Sequence, residues 1–289
     1  MRRLLLQLDT STHPSVFDRI VALDAGADEV LSYGGVTDEA VRDLVHGAIF
    51  TRGPKDLRHT AIFIGGTDMA AGERLLAAVR AAFFGPMRVS VMLDASGSNT
   101  TAVAAVAMLR HAVGDLAGLR AVVTGGAGPV GRRSAGLLAR AGALVTITSR
   151  RAGDGSLAAA IASRFGGTVE ERLLEEPSQA GTVLEGANLL LNAGPVDVPV
   201  VPRGAWGAHA GLRVAADLNA VPPAGIEGVE ASDDGATRAG VTVFGALAVG
   251  GLKMAIHKAC LAQLFERADL VLDAESIADL AERLCPPGR

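Results

Sequence analysis

The run Ala121-Val122-Val123-Thr124-Gly125-Gly126-Ala127-Gly128-Pro129-Val130-Gly131 sets Gly-x-Gly-x-x-Gly between an apolar stretch and the segment 132–141. Glycines at this spacing serve phosphate chemistry by leaving backbone uncovered. Gly126 is expected to make the tight turn, Gly128 to let the backbone approach a pyrophosphate, and Gly131 to allow close helix–strand contact. A pyrophosphate is expected at the N-terminus of the helix that follows, where unpaired N–H groups and the dipole favour an anion. At the end of the next strand, a carboxylate would accept hydrogen bonds from the ribose of NAD. This chain has Thr148-Ser149-Arg150-Arg151 there, a hydroxyl and two guanidiniums suited to a 2′-phosphate. The expected cofactor is therefore NADP rather than NAD. A purely structural βα turn, and a solvated charged turn at Arg150-Arg151, are the alternatives left open.

Other polar residues fall at expected strand ends, where ligands of open α/β sheets lie. Ala193 and Gly194, after Asn192, are expected on the cofactor side, as are Asp217 and Asn219. Nearer the N-terminus the strand ends are 9–18, 65–68 and 94–101. Of these, Asp94-Ala95-Ser96-Gly97-Ser98-Asn99-Thr100-Thr101 is the densest hydrogen-bonding run in the chain. Helix capping by Ser98 or Asn99 is its structural alternative. Lys253 reads as standing at a Gly-rich helix start, Gly250-Gly251-Leu252-Lys253, where the helix dipole disfavours a cation. A ligand role and a solvated one are both open for it. His257, one turn on, reads as an ordinary core or surface group. There is no Ser-His-Asp order, nucleophilic Cys setting or metal-ligand spacing, so no metal is expected.

The elements that must position these residues alternate. Strands are expected at 4–8, 29–33, 60–64 and 89–93, with helices at 15–25, from Thr37, at 68–83 and at 101–112. Residues 48–51 form a further apolar, β-branched run. The character of the sequence changes near residue 115. Beyond it, strands are expected near 121–124, 144–149, 188–192, 213–217 and 241–244, with helices at 132–141 and 251–266. The fold class is α/β: two α/β domains separated by a cleft, the second a Rossmann-type parallel sheet. Residues 1–114 plus 251–289 form the first, discontinuous domain and 115–250 the second, with a C-terminal helix at 274–284 packed back on the first.

A length of 289 residues suits two domains at roughly 150 residues each. Apolar residues at 49% and charged residues at 20% exclude a disordered chain. Aromatic residues make up only 3% beside 36 glycines, so the core is aliphatic and stacking platforms for nucleic acid are excluded. A net charge of −4 gives no basic field to attract nucleic acid or anionic membrane. Cys260 and Cys285 make no disulfide framework. The apolar run after Arg2-Arg3 is too short for a signal peptide, and no stretch reaches a membrane span, so a cytoplasmic protein is expected.

Longer stretches carry a resemblance. Asp9-Thr10 with Pro14-Ser15-Val16-Phe17-Asp18, Ala61-Ile62-Phe63-Ile64-Gly65-Gly66 and Asp68-Met69-Ala70-Ala71-Gly72-Glu73-Arg74 belong to it. So do Met92-Leu93-Asp94 with Gly97-Ser98-Asn99-Thr100-Thr101, Ala216-Asp217 with Asn219-Ala220, and Phe244-Gly245-Ala246-Leu247 with Gly250-Gly251-Leu252-Lys253. Together they resemble the NADP-dependent methylene-tetrahydromethanopterin/methylene-tetrahydrofolate dehydrogenases of bacterial one-carbon metabolism, from the first strand to the last helix. The resemblance implies a pterin-binding α/β domain, a Rossmann domain and a homo-oligomer, trimer or hexamer. It also implies hydride transfer to NADP from a methylene carbon held between two nitrogens, whose lone pairs stabilise the methenyl cation. The protein then supplies alignment rather than a catalytic acid.

By the same resemblance Asn99, Thr101 and Lys253 contact the reacting region, and Asp18, Asp94, Ser98 and Lys253 hold the pterin. Gly126, Gly128, Pro129, Val130, Gly131, Ser149, Arg150, Arg151, Ala193, Gly194, Asp217 and Asn219 hold NADP. The chain departs from the family around Ser149-Arg150-Arg151, Gly194-Pro195-Val196-Asp197 and Glu227-Gly228. The first departure bears on NADP against NAD, the second on the nicotinamide pocket. Two other readings stand beside this one. A shikimate-dehydrogenase-like enzyme would use Lys55 in a proton pair, and a cofactor sensor would bind NADP without turnover.

Overall fold

In the computed structural model, which describes residues 1–284, short apolar runs become strands of two parallel-dominated sheets. Cys285 lies outside the described residues. The first elements are β1 (Leu4–Asp9), α1 (Val16–Asp24), β2 (Glu29–Tyr33), α2 (Val41–Ile49), β3 (Thr60–Gly65), α3 (Met69–Ala81), β4 (Ser90–Leu93) and α4 (Ser98–Val113). Capping residues start two of these helices. Ser15 Oγ accepts the Asp18 N–H, and the Asp68 carboxylate accepts the N–H groups of Ala70 and Ala71. The run 48–51 is no strand: Ala48 and Ile49 close α2 and bury their side chains.

The chain continues through β5 (Arg120–Thr124), α5 (Pro129–Arg140), β6 (Leu144–Ser149), α6 (Ser156–Phe165), β7 (Thr168–Leu173), α7 (Ala180–Val183) and β8 (Leu189–Asn192). Then come α8 (Arg203–Trp206), β9 (Val214–Asp217), β10 (Asp234–Arg238), β11 (Val241–Phe244), α9 (Ala246–Gln263), β12 (Val271–Leu272) and α10 (Ala274–Leu284). Two compact units result: Met1–Thr100 with Met254–Leu280, and Thr101–Lys253 with the segment from Ala281. The divisions fall inside α4 and α9, whereas the change in sequence character at residue 115 falls in the loop after α4.

The first unit holds a sheet of order β12-β4-β3-β1-β2, parallel throughout. β3 and β4 are buried along their whole length, as parallel strands covered on both faces are. β1 lies between β2 and β3, so the carboxyl ends of β1 and β3, Asp9 and Gly65, flank the point where strand order reverses. Such switch points hold ligands.

The second unit has the order β10-β11-β9-β8-β5-β6-β7, in which only β10 runs antiparallel. Its reversal lies between β5 and β8. Val122, Leu190, Ala215 and Val243 form one core with Trp206, whose Nε1 donates to the Glu227 carbonyl at 3.0 Å. Among the described residues no helix is long and apolar enough to cross a membrane.

Candidate functional site

In the second unit the path from β5 into α5 is shaped by what a side chain would strike. Gly125 has φ +69, and a Cβ there would lie 2.5 Å from the Ala193 carbonyl oxygen. The left-handed turn thus belongs to Gly125 rather than to Gly126. Gly126 instead packs flat on β6, where a Cβ would come within 2.5 Å of Ile147 Cβ. At Gly131 a Cβ would sit 2.3 Å from the Gly125 oxygen, which is the close helix–strand contact expected of it. Gly128 differs: a Cβ there would meet only the Gly125 oxygen, at 3.3 Å. It caps α5 without a side chain, and Pro129 at the first helical position supplies no N–H. Val130 and Gly131 are left to offer the first-turn N–H groups to an anion.

Beside this turn opens a cavity of about 440 Å³. Gly125, Gly128 and Pro129 line it at the turn, Ser149 and Arg150 at the end of β6, and Ala193, Gly194 and Pro195 beyond β8. A glycine cradle, an uncapped helix start and no carboxylate at the end of β6 fit a phosphate-rich dinucleotide. Arg151 is not part of the lining; its carbonyl accepts the Ser149 hydroxyl and closes the turn. The far wall, Leu174-Glu175-Glu176-Pro177, was not anticipated. Its signal was the strand before it, β7, whose Thr-Val-Glu-Glu-Arg-Leu sequence is too charged to read as a strand.

The first unit gathers acids instead of glycines. Asp9 ends β1 nearly fully buried, and its carboxylate accepts the N–H groups of Ser11 (2.8 Å) and Ser15 (3.1 Å). A Cβ built on Gly65 would lie 3.3 Å from Asp9 Oδ2 and 3.6 Å from Asp18 Oδ2, so both carboxylates flank the end of β3. Asp9 thus serves the turn after β1 while bordering the switch point beside Asp18. Next to it, Ser96 takes φ +56 and donates its N–H to the Gly66 carbonyl at 2.6 Å, tying the 94–97 turn to the switch point.

Asp94 is the centre of that turn. Oδ1 accepts the N–H groups of Asn99 (2.9 Å) and Thr100 (3.0 Å); Oδ2 accepts the Thr100 hydroxyl (2.6 Å) and faces His257 Nδ1 at 3.2 Å. Burial alone would push this carboxyl up. The His257 hydrogen bond and charge, with the Thr100 donors, outweigh burial and hold it below the usual carboxylate range. Burial, and then the Asp94 charge, push the Cys260 thiol up to about 12. Asn99 Nδ2 donates to the Leu93 carbonyl (2.6 Å) and to Asp273 Oδ1 (3.0 Å). The cap of α4 is therefore Asp94, not Ser98 or Asn99, and all three are buried.

Residues 16–96 match the family described as methylene-tetrahydromethanopterin dehydrogenase, N-terminal. Over 285 residues the chain is 45% identical to the bifunctional protein MdtA of Methylorubrum extorquens, covering 98% of this chain and 99% of that one. Over 265 residues it is 33% identical to the NAD(P)-dependent methylenetetrahydromethanopterin dehydrogenase of the same organism, covering 87% and 88%. The chain belongs to the methylene-tetrahydromethanopterin dehydrogenase family. A solved structure, the shikimate dehydrogenase of Mycobacterium tuberculosis, shares the fold alone, with TM-score 0.52 and 17% identity over 98% of this chain and 99% of that one.

In this methylene-tetrahydromethanopterin dehydrogenase family member, two residues expected at the cofactor lie behind the groove. Asp217 is 1% exposed and accepts Asn192 Nδ2 (2.7 Å), the Asn219 N–H (3.0 Å) and the Ile226 N–H (2.7 Å). Asn219 Nδ2 donates to the Pro195 carbonyl at 3.0 Å and so carries the loop that lines the cavity. Lys253 also stands differently from expectation. α9 begins at Ala246 and runs straight through Gly250-Gly251, so Lys253 is about two turns inside the helix. A cation at that depth is clear of the unfavourable N-terminal end of the helix dipole. Lys253 and Thr101 are both partly buried.

Proposed function

We propose that this chain is an NADP-dependent dehydrogenase acting on a methylene-tetrahydropterin, methylene-tetrahydromethanopterin or methylene-tetrahydrofolate, and releasing the methenyl form. The observation that carries the reading is the glycine-floored groove that ends at Ser149 and Arg150, with no carboxylate at the end of β6. When bound, NADP supplies the hydride acceptor. Gly128 and the N–H groups of Val130 and Gly131 hold the pyrophosphate, with Gly126 and Pro129 fixing the turn. Ser149 and Arg150 take the 2′-phosphate, and Arg151 adds flanking charge. Ala193 and Gly194 border the nicotinamide end, on a loop kept in place by Asp217 and Asn219.

In the first unit, Asp18, with Asp9 beside it, accepts N–H groups of the pterin. Asp94 and Asn99 tie the 94–97 turn to the start of α4, where Ser98 is buried beside the pterin side, and Thr101 and Lys253 serve the reacting region. The substrate's nitrogens carry the cation, so no side chain has to move a proton and positioning dominates the rate. The same reading makes the enzyme a cytoplasmic protein and a homo-oligomer; light scattering on the purified protein tests the oligomer, and fractionation of cells tests the location.

The deciding assay is NADP reduction with each purified carrier. We expect turnover with at least one, a loss of tenfold or more in kcat for Lys253→Ala, and a raised KM for Asp18→Asn. Preference for NAD, or intact NADP binding without turnover on either carrier, overturns the reading.

A further inference from the structure

The cofactor groove has a wall that neither the glycine motif nor the arginine turn explains. β6 and β7 pair as far as Ser149 and Leu173, and the Leu174 N–H then donates to the Ser149 carbonyl at 2.9 Å. This one extra step sets Glu175 and Glu176 alongside Ser149 and Arg150 on the same groove. The wall is held in place. Gln179 Oε1 accepts the N–H of Glu175 (2.9 Å) and of Glu176 (3.0 Å), and Pro177 restrains the turn that follows.

Both glutamates are exposed, as is Arg150. A 2′-phosphate drawn to Arg150 therefore enters beside two charges of its own sign. A 2′-hydroxyl meets no such repulsion, and it is a donor that a carboxylate accepts. We infer that the Glu175-Glu176 wall sets the NADP-to-NAD ratio of this enzyme by opposing Arg150, so that the groove admits both dinucleotides. The inference rests on the reading of this groove as the NADP site.

The test is calorimetric titration of the full chain and its E175Q/E176Q variant with NADP and with NAD. Both substitutions are isosteric and exposed. In the variant we expect NADP binding to tighten about fivefold at low salt and NAD binding to stay within about twofold. The gain should fall below about twofold in half-molar salt, since exposed charges are screened. E175Q alone should give part of the same shift. An unchanged ratio in a variant with wild-type circular dichroism overturns the wall's role while leaving the site itself intact. A wild-type chain that binds neither dinucleotide overturns the site, and the wall with it.

Discussion

The two sheets end differently at their carboxyl edges. In the second unit the edge is emptied: glycines 125, 128 and 131 strip it of side chains, and a cavity of about 440 Å³ opens beside them. In the first unit the edge is filled: Asp9, Asp94 and Asn99 are each no more than 1% exposed and bonded to neighbouring backbone. One parallel-sheet topology thus solves two problems. Where an anion must reach backbone N–H groups, each Cβ is an obstacle. Where loops must be held in a single shape, buried acceptors hold them, since a carboxylate stripped of water is costly without donors.

The filled edge should therefore fail through stability. Asp94→Ala leaves the Asn99 and Thr100 N–H groups, the Thr100 hydroxyl and His257 Nδ1 facing a void. Losing one side of such a buried pair costs about 3–5 kcal/mol, which urea unfolding would register as a lower midpoint. The acid dependence has a definite sign. The folded pKa of Asp94 lies below its unfolded value, so its stabilisation is present above the unfolded pKa and is lost as pH falls through the folded one. Wild type should lose stability below about pH 4 more steeply than Asp94→Asn. Parallel curves for the two proteins would remove Asp94 from the account.

The emptied edge should fail through binding, and unevenly. Gly131→Ala forces a Cβ to 2.3 Å from the Gly125 oxygen and 2.9 Å from Gly126 Cα, so the turn itself has to move. NADP affinity should drop on the order of a hundredfold, with a lowered Tm, because the cradle depends on close backbone approach. Gly128→Ala meets only one atom, at 3.3 Å, and should keep its Tm while losing about tenfold in affinity from crowding at the phosphate. Equal losses of Tm in both would show that the glycines serve the fold alone.

The emptied edge was the easier one to read. A Gly-x-Gly-x-x-Gly motif is local, and it stood out between strand and helix; only the turn's owner changed, from Gly126 to Gly125. The filled edge depends on partners far apart in sequence, Asn99 with Asp273 and Asp94 with His257, and no spacing rule joins them. His257 looked ordinary for that reason. Helix α9 was misjudged because Gly250-Gly251 suggested a start, whereas the helix runs through them from Ala246, with Val249 and Ile256 buried on either side. Three of the four edge strands escaped as well, β2 being the one expected. β7 and β10 are largely solvent-facing and lack the buried apolar run that marks a parallel strand, and β12 has only two residues.

The smallest expected effect probes whether the contrast holds below the surface. Behind the emptied edge, Thr124 Oγ1 meets Asn192 Oδ1 at 2.7 Å, Asn192 Nδ2 donates to Asp217, and Asn219 Nδ2 reaches the Pro195 carbonyl. This is the first unit's device set one layer back: a buried acid and amides fix a loop that itself presents little but backbone. Asn219→Ala removes one neutral hydrogen bond and spares the Asn219 N–H that bonds Asp217. The cost should be about 1 kcal/mol of stability, with a rise in the NADP dissociation constant of roughly threefold as the loop loosens. If the variant loses stability but binds NADP as well as wild type, the loop does not depend on the layer behind it. The two edges would then differ in construction as well as in what they present.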